Sequence, residues 1–272
     1  KSEMDKDDFY DRGDYIGKQG VEKYYENYLR GEKGVAVMLK DAYGRIQGSY
    51  MNGEYDVAPV AGKNLTLSVD IALQQLGERL MQGKIGSIVA IEPSTGEILC
   101  MVSAPTFSPT ELVGRHRSEN YQQLSNHKSK PLLNRTIMGT YPPGSTFKTA
   151  SIMVALEDGV CLPSDTVDTG NGIYMYKKAR MTDHNANKGG YHRISVAQSI
   201  WYSSNIGVAK TILKGYEKNP QKYWDGLERL GLMEDLRLEI PGAGRAKIRR
   251  PNDSIRPWSK VTLPWMSFGY ET

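Results

Sequence analysis

A serine followed three residues later by a lysine, directly behind a Pro-Pro-Gly turn, constrains this chain more than any other feature. The stretch reads Tyr141-Pro-Pro-Gly-Ser-Thr-Phe-Lys-Thr149. If a helix starts at Ser145, positions i and i+3 share a face and the Lys148 amine reaches the Ser145 hydroxyl. A serine hydroxyl is a weak nucleophile until a neighbouring base takes its proton. A lysine in a partly desolvated site, next to another cation, can have its pKa lowered far enough to be that base. The helix N-terminus adds free backbone N–H groups and a positive dipole end, which suit the oxyanion of an acyl-transfer intermediate. The same bare spacing occurs at Ser125-Asn-His-Lys128, in a polar stretch with no helix-start signal, and is read as accidental.

The bland alternative for Ser145 is a helix-capping serine with a solvated lysine one turn on. A second element weighs against it: Ser203-Ser204-Asn205, inside Ser199-Ile-Trp-Tyr-Ser-Ser-Asn-Ile-Gly-Val-Ala209. It interrupts an apolar periodic segment, where a hydroxyl and a carboxamide two residues apart can project together into a cleft. Ser118-Glu-Asn120 repeats the pattern without that setting.

Together the two elements match the first two motifs of the penicilloyl-serine transferases. The wider sequence resembles the class B, high-molecular-weight penicillin-binding proteins, the D,D-transpeptidases that crosslink peptidoglycan. The resembling segments are Gly17-Lys-Gln-Gly-Val-Glu-Lys-Tyr-Tyr-Glu26 with Leu29-Arg-Gly31, Leu65-Thr-Leu-Ser-Val-Asp70, Val89-Ala-Ile-Glu-Pro-Ser-Thr-Gly-Glu-Ile98, Pro131-Leu-Leu-Asn-Arg135 and Met266-Ser-Phe-Gly-Tyr270. Residues 1 to about 140 look like the elongation-type protein of Bacteroidetes-like bacteria; from about 144 onward the chain looks more like the division-type protein.

The resemblance implies an α/β (α+β) fold of the penicillin-binding-protein and beta-lactamase-like kind, an antiparallel sheet packed by helices plus a helical subdomain. The active site is expected between sheet and helical part, with Ser145 at a buried helix N-terminus. Residues 1–62 are expected to be a remnant of the non-catalytic pedestal and 63–272 the transpeptidase domain. Ser145 would be the nucleophile, Lys148 its base and Ser203 a proton relay. Asn205 would hold the substrate amide and the lysine head, with Gly144 and Ser204 lining the substrate. The family's third motif, Lys-Thr/Ser-Gly, is absent from these residues. The domain is therefore expected to be C-terminally incomplete and this chain weakly active. The implied partners are peptidoglycan stem peptides, beta-lactams and a glycosyltransferase of the elongation or division machinery. The implied location is the periplasmic side of the inner membrane, through an N-terminal anchor not present here. No cofactor is implied.

Composition and the remaining motifs narrow the field. A net charge of +4 without a clustered basic stripe argues against a nucleic-acid partner. Cys100 and Cys161 sit in apolar surroundings and read as buried small hydrophobes. A Ser-His-Asp hydrolase could draw on His116, His127, His184 or His192, but Gly-x-Ser-x-Gly is absent. Asp183, His184 and His192 could donate to zinc, although their spacing matches no strong pattern and a polar loop explains them better. Asp168-Thr-Gly170 is a single aspartic-protease-like triplet in a loop and is read as chance. A beta-lactamase, a beta-lactam sensor and a non-catalytic scaffold with the same fold remain alternatives.

The local pattern predicts a helix in residues 1–30 with Val21, Tyr24, Tyr25, Tyr28 and Leu29 on its apolar face. It predicts strands at 35–39 and near Tyr50 around an Asp41–Gly44 turn, then a linker at 59–63. A strand at 65–69 precedes an Asp70-capped helix to about Met81. A hairpin over 87–102 turns at Pro93–Gly96. Helices are expected at 145–159 with Ile152, Val154, Ala155 and Leu156 inside, and at 195–202, 206–213 and 224–230. Residues 105–130 read as polar loop or short helix, and 163–193 as irregular.

Overall fold

The computed structural model describes residues 7–11 and 13–271. They form two compact units, one of residues 1–139 with 237–243 and the other of residues 140–236 with 244–272. The boundary expected near residue 62 falls within the first unit.

In the first unit, helix α1 (Gly20–Tyr24) and helix α2 (Glu26–Leu29) replace the longer helix expected there. Residues 1–6 and 12 of that expectation lie outside the described residues. Neither helix buries a side chain, so the tyrosine-rich face gives too little apolar burial to extend them. Strands β1 (Met38–Lys40) and β2 (Ile46–Ser49) pair antiparallel around Asp41, whose carboxylate accepts from the Tyr43 and Arg45 amides. The segment expected to be a linker is tied down: Val60 pairs with Glu32, and the Lys63 amide donates to the Tyr28 carbonyl.

Residues 65–69 carry the alternation of a strand but are not one. Their neighbour Asp70 instead caps helix α3 (Ile71–Leu80), accepting from the Leu73 amide at 2.9 Å. Helix α3 lies on the antiparallel hairpin of β3 (Gly86–Ile91) and β4 (Ile98–Ala104). Gly77 makes that approach possible, because a Cβ there would stand 2.8 Å from a Val102 methyl. Gln74 completes the seam: its side chain accepts from the Met101 amide at 2.8 Å and donates to the Met101 carbonyl at 3.0 Å. Cys100 and Val102 are buried beneath it, as expected for Cys100. Helix α4 (Arg117–Asn126) occupies the polar connection, and the short helix α5 (Arg135–Met138) follows. The buried Arg135 guanidinium donates to the carbonyls of Ser129, Lys130 and Leu133 and so shapes the approach to α5.

The second unit is built on helices. After one 3-10 turn at Gly144–Thr146 comes α6 (Phe147–Glu157). The expected irregular stretch holds two small hairpin pairings instead. Strand β5 (Thr166–Asp168) pairs with β8 (Arg193–Ser195), and β6 (Ile173–Tyr176) with β7 (Ala179–Thr182). Glycine-rich turns between three- and four-residue strands hide the two-residue period from a sequence reading. Helices α7 (Val196–Trp201), α8 (Asn205–Tyr216), α9 (Pro220–Arg229) and α10 (Thr262–Met266) follow. Ser195 and Gln198 form a reciprocal capping box at α7.

The most enclosed element is α8, which buries Ile206, Val208, Ala209, Ile212, Leu213 and Tyr216 against α6, α7, α9 and α10. Helix α6 buries Phe147, Lys148, Ile152, Val154 and Ala155, whereas Leu156 is exposed, contrary to expectation. Helices α6 and α9 meet at Val154 and Gly226, where an added Cβ would lie 2.2 Å from Val154 Cγ1. Alanine is the better helix former by roughly 1 kcal/mol, but overpacking a filled core costs roughly 1–3 kcal/mol. Gly226→Ala is therefore expected to lower the midpoint of chemical unfolding. Adding Val154→Ala should recover part of that loss; a midpoint for Gly226→Ala at or above the parent's would show that the contact yields freely.

Candidate active site

Four elements of the second unit bring the candidate residues together. The turn at Gly144–Thr146 carries Ser145, and the first turn of α6 carries Lys148. The α7–α8 junction carries Ser203 to Asn205, and the end of β7 supplies Thr182 and Asp183. The expected helix start is displaced by two residues, because α6 proper begins at Phe147. Ser145 is exposed, not buried as expected, and Lys148 behind it is 2% exposed. A serine hydroxyl open to solvent, backed by a buried amine, is the arrangement the i, i+3 spacing implies.

The Lys148 Nζ stands 3.1 Å from Ser145 Oγ, 2.9 Å from Ser203 Oγ and 2.6 Å from the Ser203 carbonyl oxygen. An ammonium has three hydrogens, one for each oxygen. A neutral amine has two hydrogens and a lone pair. The carbonyl can only accept, so it takes one hydrogen; the other two positions face the two hydroxyls. The same geometry therefore serves both protonation states, and in the neutral one the lone pair accepts a hydroxyl proton. Burial pushes the Lys148 pKa down to about 8, partly opposed by the negative charge of Asp183.

Ser203 adopts φ +53°, a left-handed conformation uncommon for a side chain with a Cβ. It follows the last turn of α7, where its amide donates to Ile200 and that of Ser204 to Ser199. That conformation turns both the Ser203 hydroxyl and carbonyl onto the Lys148 amine. The close approach of α7 to α8 depends on Gly207, where a Cβ would lie 2.3 Å from Ser199 Oγ.

Ser204, expected to line the substrate, is fully buried, and this expectation is corrected. Its hydroxyl accepts from the Gly207 amide at 2.9 Å and donates to Asp183 at 2.7 Å, which makes it the cap of α8. Asn205 donates to the Thr182 carbonyl at 2.9 Å. Among the described residues no hydrogen bond joins it to Lys148, contrary to expectation.

Gly144 has φ +57°, and its amide donates to the Gly269 carbonyl at 3.1 Å. A Cβ at Gly269 would lie 2.1–2.7 Å from the Gly144 backbone. Deeper along α6, Ser151 Oγ bonds to the Ser267 carbonyl at 2.7 Å and meets the buried Tyr223 hydroxyl at 2.8 Å. The Met266–Tyr270 segment thus braces the turn that carries Ser145 and the helix that carries Lys148, one contact to each. The sequence reading used this segment only for its resemblance and gave it no place in the site.

The other candidates are elsewhere engaged. His184 Nε2 meets the Tyr191 hydroxyl at 3.0 Å, and the Asp183 oxygens face Ser204 and the Ile206 amide. Among the described residues no group of three or more His, Cys, Asp or Glu is arranged to hold a metal ion. Ser125 and Lys128 lie in the first unit, at the end of α4 and in the exposed turn after it.

The depressed pKa has a consequence for stability. The folded value of about 8 lies below the ordinary lysine value of 10.5, so the folded state binds fewer protons between those two pH values. The cost of burying the charge is complete below about pH 8 and fades as pH rises to 10.5; its size is roughly 3 kcal/mol. The stability of a Lys148→Met variant relative to the parent is therefore expected to fall by about that amount between pH 7.5 and 10.5. Parallel unfolding curves for parent and variant across that range would contradict a buried, pKa-depressed lysine.

Residues 86–269 match the profile of the penicillin binding protein transpeptidase domain, and residues 1–67 that of the penicillin-binding protein dimerisation domain. The chain is 40% identical over 151 residues to the peptidoglycan D,D-transpeptidase MrdA of Salmonella typhimurium, covering 56% of this chain and 24% of that protein. It is 29% identical over 261 residues to the probable peptidoglycan D,D-transpeptidase PenA of Neisseria flavescens, covering 93% of this chain and 59% of that one. The crystal structure of Pseudomonas aeruginosa PBP2 in complex with WCK 5153 superposes with a TM-score of 0.74 at 27% identity, over 93% of this chain and 52% of that chain. The chain spans about a quarter of the length of the MrdA relatives it matches.

Proposed function

We propose that this chain, which belongs to the penicillin-binding protein transpeptidase family, carries the acylation centre of a peptidoglycan D,D-transpeptidase. The observation that carries the reading is the contact of one buried, pKa-depressed amine with two serine hydroxyls. Ser145 Oγ attacks the penultimate D-Ala carbonyl of a stem peptide while Lys148 Nζ takes its proton. The tetrahedral intermediate collapses, the bond to the terminal D-Ala breaks, and Ser203 passes a proton to the departing amine. The amine of a neighbouring stem peptide then attacks the acyl-enzyme, releases Ser145 and forms the crosslink. The Ser145 amide, at the open end of a short turn, is one donor to the oxyanion. Gly144, with its positive φ, sets the direction of that amide. Asn205 offers its carboxamide to the substrate backbone. Serine acylation needs no cofactor.

A beta-lactam presents a strained amide in place of the D-Ala-D-Ala end, so it acylates the same serine. We also take residues 1–62 as pedestal and 63–272 as transpeptidase domain, a division supported by the dimerisation-domain match over residues 1–67. A periplasmic location, an anchor in the inner membrane and a glycosyltransferase partner follow from the same reading. No helix among the described residues is long and apolar enough to cross a membrane. The two-part ancestry, with residues 1 to about 140 like the elongation-type protein of Bacteroidetes-like bacteria and residues from about 144 onward more like the division-type protein, belongs to this proposal too.

Intact-mass spectrometry after incubation with benzylpenicillin tests the centre. One adduct per chain is expected, and none in Ser145→Ala. Its rate of formation should rise about tenfold per pH unit below the Lys148 midpoint and level off above about pH 8, as the amine loses its proton. A folded chain that takes up no penicillin would point to the scaffold alternative.

A further inference from the structure

We infer that Asp183 is a positioning residue that holds the Ser203–Asn205 turn in place and, through its charge, couples that turn to the protonation of Lys148. The inference rests on the acyl-transfer reading of Ser145 and Lys148. Asp183 lies just past β7 and is 3% exposed. Its Oδ2 accepts from Ser204 Oγ at 2.7 Å and its Oδ1 from the Ile206 amide at 3.1 Å. Its own amide donates to the Gly172 carbonyl at 3.0 Å, and its carbonyl accepts from the Ala186 amide at 3.2 Å. The carboxylate is thus fixed on its own loop while both of its oxygens hold residues that follow Ser203.

Those bonds act where the backbone needs support. A left-handed serine is strained and persists only when its surroundings over-determine it. Lys148 grips Ser203 from one side, and Asp183 grips Ser204 and the first turn of α8 from the other. A carboxylate at the first turn of a helix is also favoured by the helix dipole.

The charge has a second effect. Lys148 faces Ser145 from its own turn and Ser203 from the α7–α8 junction, and it lies in the field of Asp183 from the β7–β8 loop. Asp183 in turn acts on Tyr191, whose phenol is pushed up by desolvation first and by Asp183 second. Tyr191 meets His184 Nε2 and stacks on Tyr202 with ring centroids 4.8 Å apart. Asp183 therefore improves the geometry of the relay while it works against loss of the proton from Lys148. Removing its charge should separate the two effects in opposite directions.

Asp183→Asn is the substitution that does so. An asparagine oxygen still accepts from the Ile206 amide, and its NH2 can donate to Ser204 Oγ. Two readouts are taken on the whole chain. The first is the Lys148 titration, followed by the 13C shift of lysine Cε and assigned by the signal lost in Lys148→Arg. The second is the pH profile of benzylpenicillin acylation by intact mass. Asp183→Asn is expected to move the Lys148 midpoint below about 8 and the acid limb of the profile down with it. The high-pH plateau should fall about tenfold as the turn loosens. Asp183→Glu should keep the midpoint near that of the parent while lowering the plateau.

An unchanged Lys148 midpoint in folded Asp183→Asn overturns the inference. So does an unchanged plateau. If that variant does not fold, Ser204→Ala keeps the charge and removes one tether. It should lower the plateau at an unchanged midpoint, and an unaltered plateau there would equally refute the positioning role. Failure of the parent to form a Ser145 adduct would overturn the acyl-transfer reading instead, and the lysine titration would still decide the coupling.

Discussion

Everything else in the second unit depends on keeping one amine out of water. Lys148 is enclosed almost completely, yet all three of its hydrogen-bonding directions are used. Burial alone would drive the group to neutrality, and full compensation would leave it an inert ammonium. The site lies between these limits. Oxygens of Ser145 and Ser203 satisfy either protonation state, and Asp183 holds back the fall in pKa. The helices around it serve this balance. Helix α8 packs against α6, the first turn of α6 carries the amine, and the 3-10 turn just before it carries the Ser145 hydroxyl.

The price of that arrangement is visible in the backbone. Ser203 takes a conformation that glycine would adopt freely, but glycine would bring no hydroxyl to the lysine. Its neighbours are correspondingly overcommitted. Ser204 caps α8 and binds Asp183, Gly207 makes room for Ser199, and Asn205 is tied to the strand beside it. The three-residue motif is therefore divided in labour. Its first member faces the chemistry and its second is wholly internal, so a motif read as a run of cleft residues is only partly one.

Much of this was legible beforehand because it is local. Asp70, Ser195 and the Pro93–Gly96 turn mark their elements through short-range hydrogen bonds, and each sits where the pattern puts it. The serine and lysine at 145 and 148 meet because helical geometry requires it. What escaped was set by contacts distant in sequence. Alternation at 65–69 forms no strand because no partner strand pairs with it among the described residues. Leu156 is exposed because the orientation of α6 is decided by α8 and α9. Asp183 sits among glycines and asparagines that read as loop, and nothing local marks it as a partner of Ser204, 21 positions on.

The backbone contact between Gly144 and Gly269 has a consequence for heredity. Two strands of main chain meet there with no side chain on either, and a single methyl group at 269 would collide with the neighbouring peptide. A single-base change at that codon therefore cannot trade one side chain for another, since there is none to trade. Variation compatible with the fold must therefore arise elsewhere, at positions where a side chain already stands. The mutational record of such a protein should then be silent at this one joint.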